Sequence, residues 1–165
     1  MEFSTYIMPV AYASAMILLG ALVFFIRGLP KSLFAPLEKW GFWFRVYFYG
    51  FIASFLLKMA LQVLSVLPPF QSYASYNKFI IIAYLHLSLI GSISFLLLAL
   101  FLDMKWMPVT RRFKAGSIMM FAGFGATEIL LALAGLGLFY DPVLLAAGSG
   151  CMAVGILIMV LNRKA

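Results

Sequence analysis

Apolar residues fill long, nearly unbroken runs in this chain, and polar positions gather in short segments between them. A helix needs about 20 apolar residues to cross the hydrocarbon core of a bilayer. Five stretches qualify: residues 6–26, 40–67, 79–102, 117–139 and 143–161. Arg27 to Lys31 ends the first, Pro68-Pro69 the second, and Tyr140-Asp141-Pro142 separates the last two. The expected fold is an all-α integral membrane protein, a bundle of five transmembrane helices in a single domain. The second stretch, at up to 28 residues, exceeds the bilayer and predicts either a tilt or an interfacial turn over 36–44. The N-terminus carries Glu2 and no basic leader, so it reads as a retained first span rather than a cleaved signal.

Composition strengthens that class. The chain is 65% hydrophobic and 10% charged, with a mean hydropathy of +1.09. A soluble domain is nearer half apolar and about a quarter charged. The aromatic share of 17% suits lipid-facing and interfacial positions. The net charge of +7 has a topological meaning, with no call for a nucleic-acid partner. Ten of the 12 basic residues fall in the first loop and the start of span 2 (Arg27, Lys31, Lys39, Arg45), the third loop (Lys105, Arg111, Arg112, Lys114) and the tail (Arg163, Lys164). Basic loops face the cytoplasm, which places the N-terminus outside and the C-terminus inside. Trp40, Trp43 and Trp106 then mark the inner ends of spans, and Tyr73, Tyr76 and Tyr140 the outer ends.

Small residues crowd the last two spans, with Gly123, Gly125, Gly135, Gly137, Gly148, Gly150 and Gly155 as candidate contact points. Such residues let helix backbones approach closely, so these spans are expected to pack tightly.

Three ionisable side chains fall inside spans: Lys58, His86 and Glu128. Each is costly at that depth and needs an explanation. At 1.5 Å rise per residue they lie roughly 14, 10 and 16 Å below the outer ends of their spans. Ser54, Lys58 and Gln62 form one stripe on span 2, and Thr127 adjoins Glu128. Two readings stand for Lys58 and Glu128: a buried ion pair joining spans 2 and 4, or a proton or ion relay. His86 diverges from the Tyr84-Ser88-Ser92 row by about 160–200°, so the two cannot line one narrow site.

His86 is the only histidine and Cys151 the only cysteine, on a different span. A zinc or copper site needs three or four ligands, so no complete metal site is expected within the chain. Haem needs one or two axial ligands, which leaves His86 as a candidate, with Met59, Met119 and Met120 as further axial groups. The alternative is a neutral imidazole hydrogen-bonded across helices. One thiol forms no internal disulfide, and C-x-x-C-H is absent. Phosphate loops, G-x-S-x-G, H-E-x-x-H and calcium loops are also absent, so no catalytic residues are assigned.

The stretch Tyr84-Leu85-His86, with Gly91 five residues on, follows a short loop at the start of a span. Together with the preceding span, it resembles bacterial multi-span membrane proteins distantly related to the haem-copper oxidase catalytic subunit and to NnrS-like haem/copper proteins. The resemblance covers about 65 residues, Trp40 to Asp103. It implies a haem- or metal-facing His86. Proteins of that kind carry several histidines over many more spans, which suits a subunit that keeps the scaffold without the centre. The expectation is a non-catalytic membrane subunit or partner-binding protein of a respiratory-type or other multi-subunit complex, in a bacterial inner (cytoplasmic) membrane. Its partners would be the lipid bilayer and other membrane subunits or further copies of itself. Two alternatives are a haem- or quinone-interacting redox protein using His86, and an oligomeric proton-coupled transporter using Glu128 and Lys58.

Overall fold

The structure is a computed structural model that describes residues 3–28 and 40–161. Lys31, Lys39, Arg163, Lys164 and most of the first loop, including residues 36–39 of the expected interfacial turn, lie outside the described residues. Every described element is helical: α1 (Phe3–Gly28), α2 (Phe42–Leu64), α3 (Pro68–Tyr76), α4 (Lys78–Asp103), α5 (Arg111–Gly135) and α6 (Pro142–Val160). Four of these, α2, α4, α5 and α6, are long and apolar enough to cross a bilayer. Leucine, isoleucine and valine side chains stand exposed around all four, a surface that suits lipid. The chain is an all-helical integral membrane protein. In α1 the apolar stretch is Tyr12–Phe24, and the helix leans on α2.

Helix ends depart from the sequence reading at two places. Pro68 and Pro69 do not merely stop span 2. After a turn over 65–67 they open α3, where the missing proline N–H falls on a donor that has no intrahelical partner anyway. The third basic loop is also shorter than expected. Thr110 accepts a hydrogen bond from the Phe113 N–H at 3.3 Å, so α5 starts at Arg111 and takes Arg111, Arg112 and Lys114 into its first turn. Asp141 caps α6 in the same way, accepting from Val143 and Leu144.

The far end of α5 is closed by Gly137 at φ +70°, where Leu138 N–H reaches Leu133 O and Gly137 N–H reaches Ala134 O. Gly135 O is taken by two side chains, the Tyr73 hydroxyl and the Asn77 amide at 2.6 Å. The bundle therefore has a tyrosine end, built by α3, and a basic end, where α4 stops and α5 begins.

Two kinds of packing hold the spans. At the basic end Tyr47, Phe95, Phe113, Met120 and Met159 are almost wholly buried, with Phe121 and Phe124 against them. Tyr47 sits among the rings of Phe95, Phe113 and Phe121, with centroids 5.0–6.3 Å away, and its hydroxyl donates to Met159 Sδ at 3.4 Å. Part of the aromatic share thus builds the interior instead of facing lipid. The second contact is α5 against α6. Gly116 lies opposite Gly155 and Gly123 opposite Gly148, so close that a Cβ at Gly116 would stand 2.5 Å from Gly155 O and one at Gly123 2.7 Å from Gly148 O. Both glycine pairs are seven residues apart, two helical turns. The tight packing expected of these spans is present, but Gly125 and Gly150 face open space and play no part in it.

Gly123→Val is expected to lower stability by about 1–3 kcal/mol through overpacking, read as a lower melting temperature in detergent. Gly150→Val should stay within about 0.5 kcal/mol of wild type. Equal effects at the two positions would mean that the backbones do not meet at Gly123.

Candidate functional site

α4 is not a uniform helix. It is α-helical over Lys78–His86, becomes a π-helix over Leu87–Ser94, and returns to α over Phe95–Asp103. π-helical turns are rare and concentrate at functional positions. Local chemistry accounts for this one. Ser92 Oγ donates to Leu87 O at 3.3 Å and Ser94 Oγ to Leu89 O at 3.1 Å, both across five residues, the span of a π turn. Gly91 lies in the same turn and meets α2: a Cβ there would stand 2.6 Å from Ser54 Oγ.

His86 is the last residue before this turn. Its Nδ1 faces Glu128 Oε1 of α5 at 3.7 Å. That is too long for a hydrogen bond and close enough for strong attraction when the ring carries a proton. Both atoms are buried, and neither has a hydrogen-bond partner among the described residues. The side chains keep 28% and 21% of their surface exposed, although the two facing atoms themselves are covered.

The other polar residues inside spans are sorted by α4, which stands between α2 and α5 in this half of the bundle. On its α2 side, Tyr84 donates to Gln62 Oε1 at 3.2 Å. On its α5 side it presents His86. The divergence of these two rows expected from the sequence is what the structure shows. The expected Lys58–Glu128 ion pair is not formed among the described residues. Glu128 meets His86 because α4 intervenes, and Lys58 stays half-buried on α2 between Ser54 and Gln62. Thr127 is wholly buried but faces α6: its hydroxyl returns to Phe124 O at 2.9 Å and its methyl group lies against Gly148. It is not part of the site.

Met119 and Met120 lie about two turns from Glu128 toward the basic end, roughly 12 Å along α5, and belong to the α5–α6 packing. Cys151 donates to Met119 O at 3.4 Å in that same contact. Among the described residues no three of His, Cys, Asp and Glu gather as a metal-binding group. Among the described residues, one open cleft lies at the basic end beside Trp43, Val109 and Lys114 and another at the tyrosine end beside Tyr73, Tyr76 and Lys78; His86 lines neither of these.

What the arrangement can do follows from its proton count. With one proton, the imidazole and carboxyl together are net neutral whichever of them holds it. That is the least costly state for such groups in a medium that solvates charge poorly. In a double-mutant cycle, His86→Leu and Glu128→Leu should each destabilise the protein, because each leaves a polar group without its partner. The double variant should recover part of the loss, with a coupling of about 0.6–2 kcal/mol. Additive losses in detergent unfolding would show that the two groups do not interact.

The chain matches no family model, no curated protein and no solved structure.

Proposed function

We propose that this chain is a subunit of a bacterial cytoplasmic-membrane complex, and that it contributes a proton-holding site made by His86 and Glu128. The observation that carries the proposal is the facing of Nδ1 and Oε1 inside the membrane, each without another partner among the described residues. A proton moving between them changes no net charge; uptake of a second proton makes the pair net positive, and release of a proton by either group returns it to neutrality, so the charged state is the transient one. The π turn that follows His86 supports this reading, since such turns are rare and concentrate at functional positions.

In the same reading α1 is a fifth span, its 26 residues covering about 39 Å. The N-terminus lies outside and the C-terminus inside, as the basic residues at one end of α4 and α5 suggest. The absence of a soluble domain among the described residues, where connections are short, favours action within an assembly.

In proteoliposomes holding the protein with its co-purifying chains, Glu128→Gln should lower proton flux by about 100-fold while leaving helix content unchanged. Flux insensitive to this change would overturn the proposal.

One further observation favours a second reading. Nδ1 turned toward a carboxylate is the arrangement that orients a ligating histidine, and it directs Nε2 away from Glu128. His86 would then offer Nε2 to a haem held jointly with another subunit; the haem would supply electron transfer. A Soret band in the purified assembly that disappears in His86→Ala is the expected sign. A colourless assembly at full subunit occupancy would remove this reading.

A further inference from the structure

Lys58 and Glu128 are opposite charges at matching depth. Lys58 stands six residues before the end of α2 at Leu64, and Glu128 seven before the end of α5 at Gly135. Both ends lie at the tyrosine end, so the two groups sit about 9 and 10 Å in from it. They do not meet within one chain, and among the described residues Lys58 has no ion-pair partner. An unpaired ammonium inside a membrane is expensive and normally finds a counter-charge.

Their placement about α4 shows where that counter-charge can come from. The Tyr84–Gln62 hydrogen bond puts α2 on one flank of α4, and the His86–Glu128 contact puts α5 on the other. Between the flanks, Ile81, Leu85, Leu89 and Ile93 form a row at four-residue spacing, each about half exposed. The apolar ridge thus runs between a helix that carries a cation, α2 with half-buried Lys58, and a helix that carries an anion, α5 with Glu128. A two-fold axis along the membrane normal, passing beside the ridge, sets the α2 flank of one copy against the α5 flank of the other at unchanged depth. Such an isologous contact is the commonest kind in symmetric oligomers.

We propose that the protein forms a two-fold dimer across the exposed face of α4, with Lys58 of each copy paired to Glu128 of the other. The pairing supplies the counter-charge that Lys58 lacks and gives the carboxylate of the partly exposed Glu128 side chain a second partner beside His86. The occupant of this face is a second copy because the charges complement each other only when the same surface is turned upon itself. The contact stands on the positions of the charges and holds whether or not His86 and Glu128 exchange protons.

Cysteine cross-linking in membranes tests this. In a Cys151→Ala background, Leu85→Cys and Leu89→Cys place a thiol on the ridge, where the axis brings identical positions together. Copper-phenanthroline oxidation should give a dimer of twice the chain mass at either position. Leu157→Cys, exposed on α6, should give none. In the Leu85→Cys background, Lys58→Glu and Glu128→Lys should each lower the dimer yield about tenfold, the size of two lost interhelical polar contacts, and the double reversal should restore it. Restoration also shows that the single variants had not simply misfolded. Only monomer at Leu85 and Leu89, equal cross-linking from Leu157, a product of some other mass, or a double reversal no better than the singles would overturn the dimer.

Discussion

Lipid offers no hydrogen bonds, and that absence governs this structure. Every donor and acceptor inside the membrane must find a partner within the protein or carry a cost. At the tyrosine end, the C-terminal carbonyl of α5 is met by Tyr73 and Asn77, which is the work of the short helix α3. Within the spans, the hydroxyls of Ser92, Ser94, Ser117 and Thr127 return to carbonyls of their own helices. Among the described residues, the groups that escape this closure are the facing atoms of His86 and Glu128, the ammonium of Lys58 and, near the basic end, Arg45 Nε; of these, His86 and Glu128 are the two that face each other. The aromatic interior at the basic end contributes packing of the opposite kind, dense and nearly free of polar demands.

Much of the fold was legible because the signal is compositional. A run of apolar residues long enough to span a bilayer looks like nothing else, and α2, α4, α5 and α6 sit where the runs are. Glycine content pointed to a close contact between α5 and α6 but not to its register. Gly123, Gly148 and Gly155 take part, Gly116 was overlooked, and Gly125 and Gly150 are turned outward. Only the relative rotation of two helices separates these cases, and composition carries no rotation. Pro68-Pro69 read as a stop because a proline ends one helix and starts another with the same residue. Thr110, three residues before Phe113, was an available capping signal for the earlier start of α5.

The candidate site was half legible. Lys58, His86 and Glu128 stood out by cost alone. Which of them meet depends on α4 lying between α2 and α5, a fact of three-dimensional order that spacing along one chain does not contain. The π turn was hidden for a related reason: its makers, Ser92, Ser94 and Gly91, are ordinary residues of membrane helices, and only their five-residue bonds to carbonyls distinguish the turn.

The glycine pairs of α5 and α6 also bear on how the chain assembles. Two closest approaches separated by two full turns work as a two-tooth key. Slide one helix by a single turn, and neither Gly116–Gly155 nor Gly123–Gly148 remains opposite, so the two backbones lose both of their points of closest approach. The hairpin thus has one seating, reached through a short connection and contacts local in sequence, the kind that form early.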